Sequence, residues 1–287
     1  MATFFNQATL SYNGNVADSN IITGRIVETL SASKNALTPT YMGTDDITYV
    51  VSVINSGDTA FTGLTLTDNL GRYTLDDGTT EVVPLTYVNG TLNYYINGVL
   101  QAAPNVTDIE PLTITGISVP AGGNAIIIYN ACPNQYAPLG ENASITNTVT
   151  IAGSSTVTPV TASETVTNST EPELTISKAL EPDVVTENSA ITYTFDIRNY
   201  GGTATDITDD VIFRDVFDPV LDITSVTFNG IPWKIGTDYT YNTVTGEFVS
   251  VNGSVAVPAA TFSQDPATGV WTTEPGVSTL VIMGTIA

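Results

Sequence analysis

The sequence predicts an all-β protein, two tandem β-sandwich domains preceded by a single orphan strand. Three observations carry that prediction. Thr, Val, Ile, Tyr and Asn dominate short alternating runs broken by turn residues, with 23 Gly and 15 Pro spread throughout, and no amphipathic helix period is visible. A set of motifs occurs twice, in the same order. The strand pattern that closes the first copy reappears at the start of the chain, before any domain it could close.

Residues 1–12 form the orphan. Phe4, Asn6, Ala8, Leu10 and Tyr12 share one face of an alternating strand, with Asn6 the only polar member. Residues 13–25 read as a connector, in an interval from Asn6 to Lys34 that contains a polar stretch of Thr, Ser and Asn. Domain 1 spans 26–153. It opens on a strand with Leu30, Ala32, Lys34 and Ala36 on one face, so Lys34 points toward the core. Ile47-Thr48-Tyr49 starts the next strand, which ends in the turn Asn55-Ser56-Gly57. Leu64, Leu66, Asp68 and Leu70 then share an inward face. Tyr87-Val88-Asn89-Gly90 marks a hairpin, because Asn-Gly between apolar runs favours a tight turn. Ala125 to Tyr129 is the penultimate strand, and strand 143–153, with Ile145, Asn147, Val149 and Ile151 on one face, closes the domain.

Residues 154–170 read as a second connector, and domain 2 spans 171–287. Leu174, Ile176, Lys178 and Leu180 repeat the first strand of domain 1. Tyr193 lies fifteen residues after Lys178, as Tyr49 lies fifteen after Lys34, and Asn199 heads the matching turn. Val211, Phe213, Asp215 and Phe217 repeat the Asp68 strand, and Phe228-Asn229-Gly230 repeats a hairpin. Thr279 to Ile286 matches the penultimate strand. Lys34 and Asn147 stand 113 residues apart, and the same offset from Lys178 falls beyond residue 287. Domain 2 is therefore expected to lack its last strand, and residues 1–12 have the missing pattern.

A Lys, an Asp and an Asn on apolar faces are each costly unless paired. Only three lysines occur, and two of them, Lys34 and Lys178, occupy equivalent positions. One chemistry uses all three residue types: a spontaneous Lys–Asn isopeptide bond. Burial lowers the amine's pKa and raises the carboxyl's, giving a neutral nucleophile beside an acid. The expected pairs are Lys34–Asn147 within domain 1, with Asp68 as the catalytic acid, and Lys178–Asn6 between molecules, with Asp215. The alternative for each lysine is an ordinary ion pair with its aspartate, the ammonium reaching solvent. The Lys34 and Asn147 strands are expected to be neighbours.

These motifs (a strand with Lys34 or Lys178, Thr-Tyr leading to Asn-x-Gly, a strand ending in Asp, and the Asn147 strand) resemble a repeat domain of bacterial surface proteins known as domain of unknown function eleven. The resemblance spans nearly the whole chain in two copies. It implies immunoglobulin-like sandwiches on Gram-positive cell surfaces and is similar to the isopeptide-forming domains of pilins and adhesins.

The function expected is a structural subunit of a self-assembling extracellular filament. Donor strand Phe4, Asn6, Ala8, Leu10 and Tyr12 would complete domain 2 of the next copy, the strand-addition mode of donor-strand pili. Donor and acceptor surfaces differ, so the contact propagates head to tail. Self-donation is disfavoured, because residues 13–25 extended reach only ~43 Å. The partner is thus the chain itself, with no cofactor, no metal and no multiple-turnover enzyme activity.

Seven basic against 29 acidic residues give a formal charge of −22, which argues against nucleic acid and favours a soluble, self-repelling surface. Asp45-Asp46, Asp76-Asp77 and Asp209-Asp210 are candidate calcium ligands without EF-hand spacing. The absence of His excludes His-based triads. No pair of carboxylates is placed by motif for glycoside hydrolysis. Cys132, the one cysteine, is expected to be buried. No run of 18 apolar residues suggests a membrane span. The expected location is extracellular, a filament of the cell or spore surface; no secretory signal pattern opens the sequence, which allows a non-classical export route. The alternative function is an adhesin or carbohydrate-binding module using Trp233 and Trp271, which fall in expected hairpins.

Overall fold

The computed structural model describes residues 2–26, 29–43, 45–153, 158–186 and 189–286. The chain is almost entirely β, with one 3₁₀ turn at Ile207–Asp209 as the only helix among the described residues. Two compact units form. One draws on residues 2–74, 78–134 and 145–166, the other on 75–77, 135–144 and 167–286.

The first unit contains a sandwich of two antiparallel sheets. One sheet runs Val99–Leu100, Asn93–Ile96, Asn124–Pro133, Ile47–Asn55, Leu30–Ala36, so the Lys34 strand is its edge. The other runs Asn105–Ile109, Leu112–Val119, Phe61–Asp68, Ser144–Ala152, Val160–Asn168, Thr40–Tyr41. The alternation seen in the sequence is the burial pattern. Tyr49, Val51 and Val53 from one sheet and Leu64, Leu66, Ile114, Val149 and Ile151 from the other fill the core.

Three placements differ from the sequence expectation. Lys34 and Asn147 lie on strands of opposite sheets, facing each other across the core, and not on neighbouring strands. Within 154–170, read as a connector, Val160–Asn168 is a strand lying beside the Asn147 strand. Its Thr and Ser residues face outward, and Thr146 and Thr148 share hydroxyl hydrogen bonds with Thr165 and Ser163, both 2.8 Å. Val166 is buried on the inner face. A strand with one wetted face is polar in composition, which disguised it.

Residues 13–25 also differ from a connector. Ala2–Asn6 pairs with Ile22–Ile26, and Thr9–Tyr12 pairs with Asn15–Asp18. Asn13 and Gly14 have φ of 46° and 78°, the positive values a two-residue hairpin turn requires. From Asn6↔Ile22 to Thr9↔Asp18 the first strand advances three residues and the return strand four. The extra residue therefore lies in the return strand, and the first strand keeps its alternation. Every residue from Thr3 to Thr23 is exposed, Phe5 at 70% and Leu10 at 65%. An unsupported two-stranded ribbon is at best marginally stable in water, and this one presents bare apolar side chains.

The second unit repeats the design with fewer strands. One sheet runs Leu174–Glu181, Ala190–Asn199, Gly276–Ile286, Leu221–Phe228, Ile231–Pro232, and a three-stranded sheet runs Arg214–Val216, Glu247–Ser250, Tyr239–Tyr241. Its core is aromatic: Phe195, Phe213, Phe217 and Phe248 pack with Leu280 and Ile282. Two asparagines show how closely the halves correspond. Asn55 Nδ2 donates to the carbonyls of Thr59 and Pro120, and its Oδ1 accepts from Gly57 N. Asn199 does the same with Thr203, Pro258 and Gly201. A buried amide satisfied in this way fixes the turn that follows each strand.

Candidate functional site: one closed and one open lysine–aspartate pair

Register brings the residues of the first site together. Lys34 pairs across the sheet with Val51, next to the Tyr49↔Tyr129 pair. Asp68 ends its strand between Leu112 on one side and Val149 on the other, two residues from Asn147 on the same face. Lys34 Nζ donates to Asp68 Oδ2 at 2.5 Å and to the Tyr129 hydroxyl at 2.8 Å. The Tyr129 hydroxyl also bonds to Asp68 Oδ2. Asn147 Nδ2 lies 3.4 Å from that same oxygen. Leu70 N donates to Asp68 Oδ1 at 2.7 Å, which fixes the carboxyl. Lys34 Nζ stands 4.5 Å from the centre of the Tyr49 ring.

The Lys34 and Asp68 side chains are both fully excluded from solvent. Burial is the main influence on each. It pulls the lysine down to about 8 against the opposing pull of Asp68, and it pushes the aspartate up against the opposing pull of Lys34. Both shifts favour the neutral forms, an amine beside a carboxylic acid. Among the described residues Asn147 Oδ1 and the Tyr49 hydroxyl are buried with no hydrogen bond of good geometry, and burial raises the Tyr49 phenol, opposed in part by the nearby Asn147 amide. The site therefore holds a nucleophile, an acid and an amide in a dry core, with the amide oxygen unsatisfied.

The second site has the same frame with one wall missing. Lys178 pairs across the sheet with Phe195, next to Tyr193↔Ile282. Lys178 Nζ donates to Asp215 Oδ2 at 2.6 Å and sits 4.8, 5.3 and 5.5 Å from the ring centres of Tyr193, Phe195 and Phe217. Here the side chains are 43% and 19% exposed. Arg214–Val216 is hydrogen-bonded to Glu247–Ser250 on one side only, and the edge that the Asn147 strand covers in the first unit is open among the described residues. The whole Lys178 strand is exposed: Leu174 at 36% and Ile176 at 57%, against 7% for Leu30, the counterpart of Leu174. The groove continues into a cavity of about 390 Å³ lined by Glu171, Pro172, Leu174, Asp209 and Val211.

Asn6, on the ribbon, is exposed in this monomer, as are Phe4, Ala8, Leu10 and Tyr12. The structure thus brings Lys34, Asp68 and Asn147 together, and Lys178 with Asp215, while Asn6 stands apart in solvent. Tyr129 and Tyr49 escaped the sequence reading. Tyr129 sits on the inward face of the Ala125–Tyr129 run among aliphatic neighbours, and a lone hydroxyl there was the available signal. Cys132, expected to be buried, is half-buried. Asp209 belongs to the 3₁₀ turn capped by Asp206, and Asp210 accepts from Asn252 Nδ2 at 2.6 Å. Among the described residues no group of three or more acidic, His or Cys side chains is placed to hold a metal ion. Trp233 stacks on Phe228 with ring centres 4.9 Å apart, and Trp271 is half-buried.

No family model matches the chain, and no curated protein matches it. Among solved structures the chain is similar to BcpA, the major pilin subunit of Bacillus cereus, at 12% identity over 95% of this chain and 73% of that one, with a TM-score of 0.34. It is also similar to ACE19, the collagen-binding subdomain of the Enterococcus faecalis surface protein ACE, at 7% identity over 50% of this chain and 99% of that one, with a TM-score of 0.30. A third similarity is to red sea bream transglutaminase, at 14% identity over 88% of this chain and 31% of that one, with a TM-score of 0.29.

Proposed function

We propose that the chain is a structural subunit of an extracellular, pilus-like filament of the cell or spore surface. The N-terminal strand of one copy fills the open groove of domain 2 in the next, and Lys–Asn amides seal both domains. The observation that carries this reading is the contrast between the two sites. The same lysine–aspartate pair is dry where an asparagine strand covers it and wet where none does. The ribbon offers an asparagine strand of matching pattern, Phe4-x-Asn6-x-Ala8-x-Leu10 against Ile145-x-Asn147-x-Val149-x-Ile151.

Burying Phe4, Ala8, Leu10 and Tyr12 would remove on the order of 400 Å² of apolar surface from water, roughly 10 kcal/mol before ordering costs. The register that puts Asn6 where Asn147 lies carries Tyr12 toward Val211 and the cavity beside it. Docking also supplies ladder hydrogen bonds to an open sheet edge, which is otherwise an aggregation hazard.

The bond forms in one turnover. Neutral Lys34 Nζ attacks Asn147 Cγ, the Cγ–Nδ2 bond breaks, and ammonia leaves carrying the proton the amine gives up. A half-turn of the amide sets Oδ1 against Asp68, whose acid proton polarises the carbonyl and then returns. Lys178, Asp215 and Asn6 repeat the step between copies once docking has buried them.

The reactive state needs one proton shared by Lys34 and Asp68. Moving that proton within the pair does not change with pH, but losing it does. Ammonia release from freshly folded protein is therefore expected to fall above about pH 8, where the pair loses that proton, and to fall again in acid, where Asp68 gains a proton while Lys34 stays charged. A rate that climbs steadily from pH 8 to 10 would show that Asp68 is not the acid. Deleting residues 2–12 is expected to abolish filaments in electron micrographs while leaving folded monomer. Filaments that persist would overturn strand donation.

A further inference from the structure

We propose that the donated element is the whole two-stranded ribbon, with the return strand entering alongside the first. This rests on the donation reading above and extends it. Domain 1 supplies the template. The Asn147 strand does not close the sandwich alone, because Val160–Asn168 lies beyond it and Thr40–Tyr41 beyond that. The hydroxyl pairs Thr146–Thr165 and Thr148–Ser163 fix the register of this hairpin. It sets Ile145 opposite Val166, and Asn147 opposite Glu164.

The ribbon has the same construction. Phe4 stands opposite Gly24, and Asn6 opposite Ile22. Aligning Asn6 with Asn147 therefore lays Phe4/Gly24 on Ile145/Val166. In domain 1 those two side chains are both buried, at 2% and 0% exposure. In the ribbon one partner is aromatic and the other has no side chain. The Phe4 ring occupies the missing space, since a Cβ built on Gly24 would meet Phe4 Cζ at 2.2 Å. Ile145 and Val166 together carry seven side-chain carbons, and so does Phe4 alone opposite Gly24.

Among the described residues domain 2 has neither strand of the template. Thr40 and Tyr41 correspond to Val184 and Val185 by their spacing from Lys34 and Lys178. Tyr41 is buried at 2% against the return strand of domain 1, while its counterpart Val185 is half-buried. Val184–Val185 is the edge that the ribbon's return strand, Ile22–Ile26, would meet. The occupant is thus a second copy of this chain, entering as a hairpin.

The test is a pair of variants of the full-length protein. In the free ribbon Phe4 can swing into solvent, so Gly24→Val leaves the monomer folded. Docked, Phe4 is confined by the groove, and the added side chain overpacks it. Gly24→Val is expected to slow filament growth about tenfold, and adding Phe4→Ile, which recreates the domain 1 pair, to restore it. Hydrogen exchange on parent filaments is expected to protect residues 15–26 and 182–186 as well as 2–12. Gly24→Val growing at the parental rate, or protection confined to 2–12, would overturn hairpin donation while leaving strand donation intact. Parent protein that forms no filaments, or filaments with no protection at 2–12, would overturn the underlying reading itself.

Discussion

Filaments of the unaltered protein, boiled in detergent, are expected to run as a ladder of multimers, and Asn6→Ala or Lys178→Ala to collapse that ladder to monomer. The expectation follows from what docking does to Lys178. The lysine already touches Asp215 at 2.6 Å and three aromatic rings, and its open side faces solvent, with 43% of the side chain exposed. A strand laid along Arg214–Val216 removes that solvent and places an amide beside the pair. Burial then acts on Lys178 as it acts on Lys34, and the amine becomes a nucleophile. Without the amide the ribbon still docks, so both variants are expected to form filaments that boiling dissolves. One difference between the sites bears on rate. Ile282 occupies the position of Tyr129, so the intermolecular bond forms without the tyrosine hydroxyl that contacts both Lys34 and Asp68. Monomer from unaltered filaments under the same treatment would rule out the covalent joint.

The second large effect is on domain 1. Parent protein is expected to weigh one ammonia less than its sequence for each internal bond, and Asn147→Ala to have its sequence mass. A bond between residues 113 apart constrains the unfolded chain much as a disulfide does, about 4–5 kcal/mol by loop entropy. Asn147→Ala is therefore expected to lower the melting temperature of the first unit by about 15 °C. Lys34→Ala loses the same bond and also leaves Asp68 buried without its cation, so it is expected to cost about 3–5 kcal/mol more at neutral pH. Equal melting temperatures for parent and Asn147→Ala would show that the pair acts as an ion pair and no more.

Much of this architecture was legible because strand alternation is a local rule. Lys34, Asp68 and Asn147 could each be placed on an inward face from their neighbours alone, and the repeated motifs located Lys178 and Asp215 in the same way. What alternation does not encode is which strands share a sheet. Lys34 and Asn147 turned out to face each other from opposite sheets, and Tyr129, distant in sequence, completes the site between them. Strands with a wet face also escaped. Val160–Asn168 turns its Thr and Ser toward water, and the return strand of the ribbon is exposed on both faces through Thr23, so composition made them look like connectors. That composition concealed that the Asn147 strand of domain 1 is backed by a second strand. The pairing of Asn6 opposite Ile22, and of Phe4 opposite Gly24, required the ribbon's register.

The most direct measurement is an electron cryomicroscopy map of the filament at side-chain resolution. It is expected to show the N-terminal ribbon of one subunit lying along Arg214–Val216 of the next, with Asn6 against Lys178 and density continuous between them. An empty groove, or one filled by the subunit's own chain, would contradict the account.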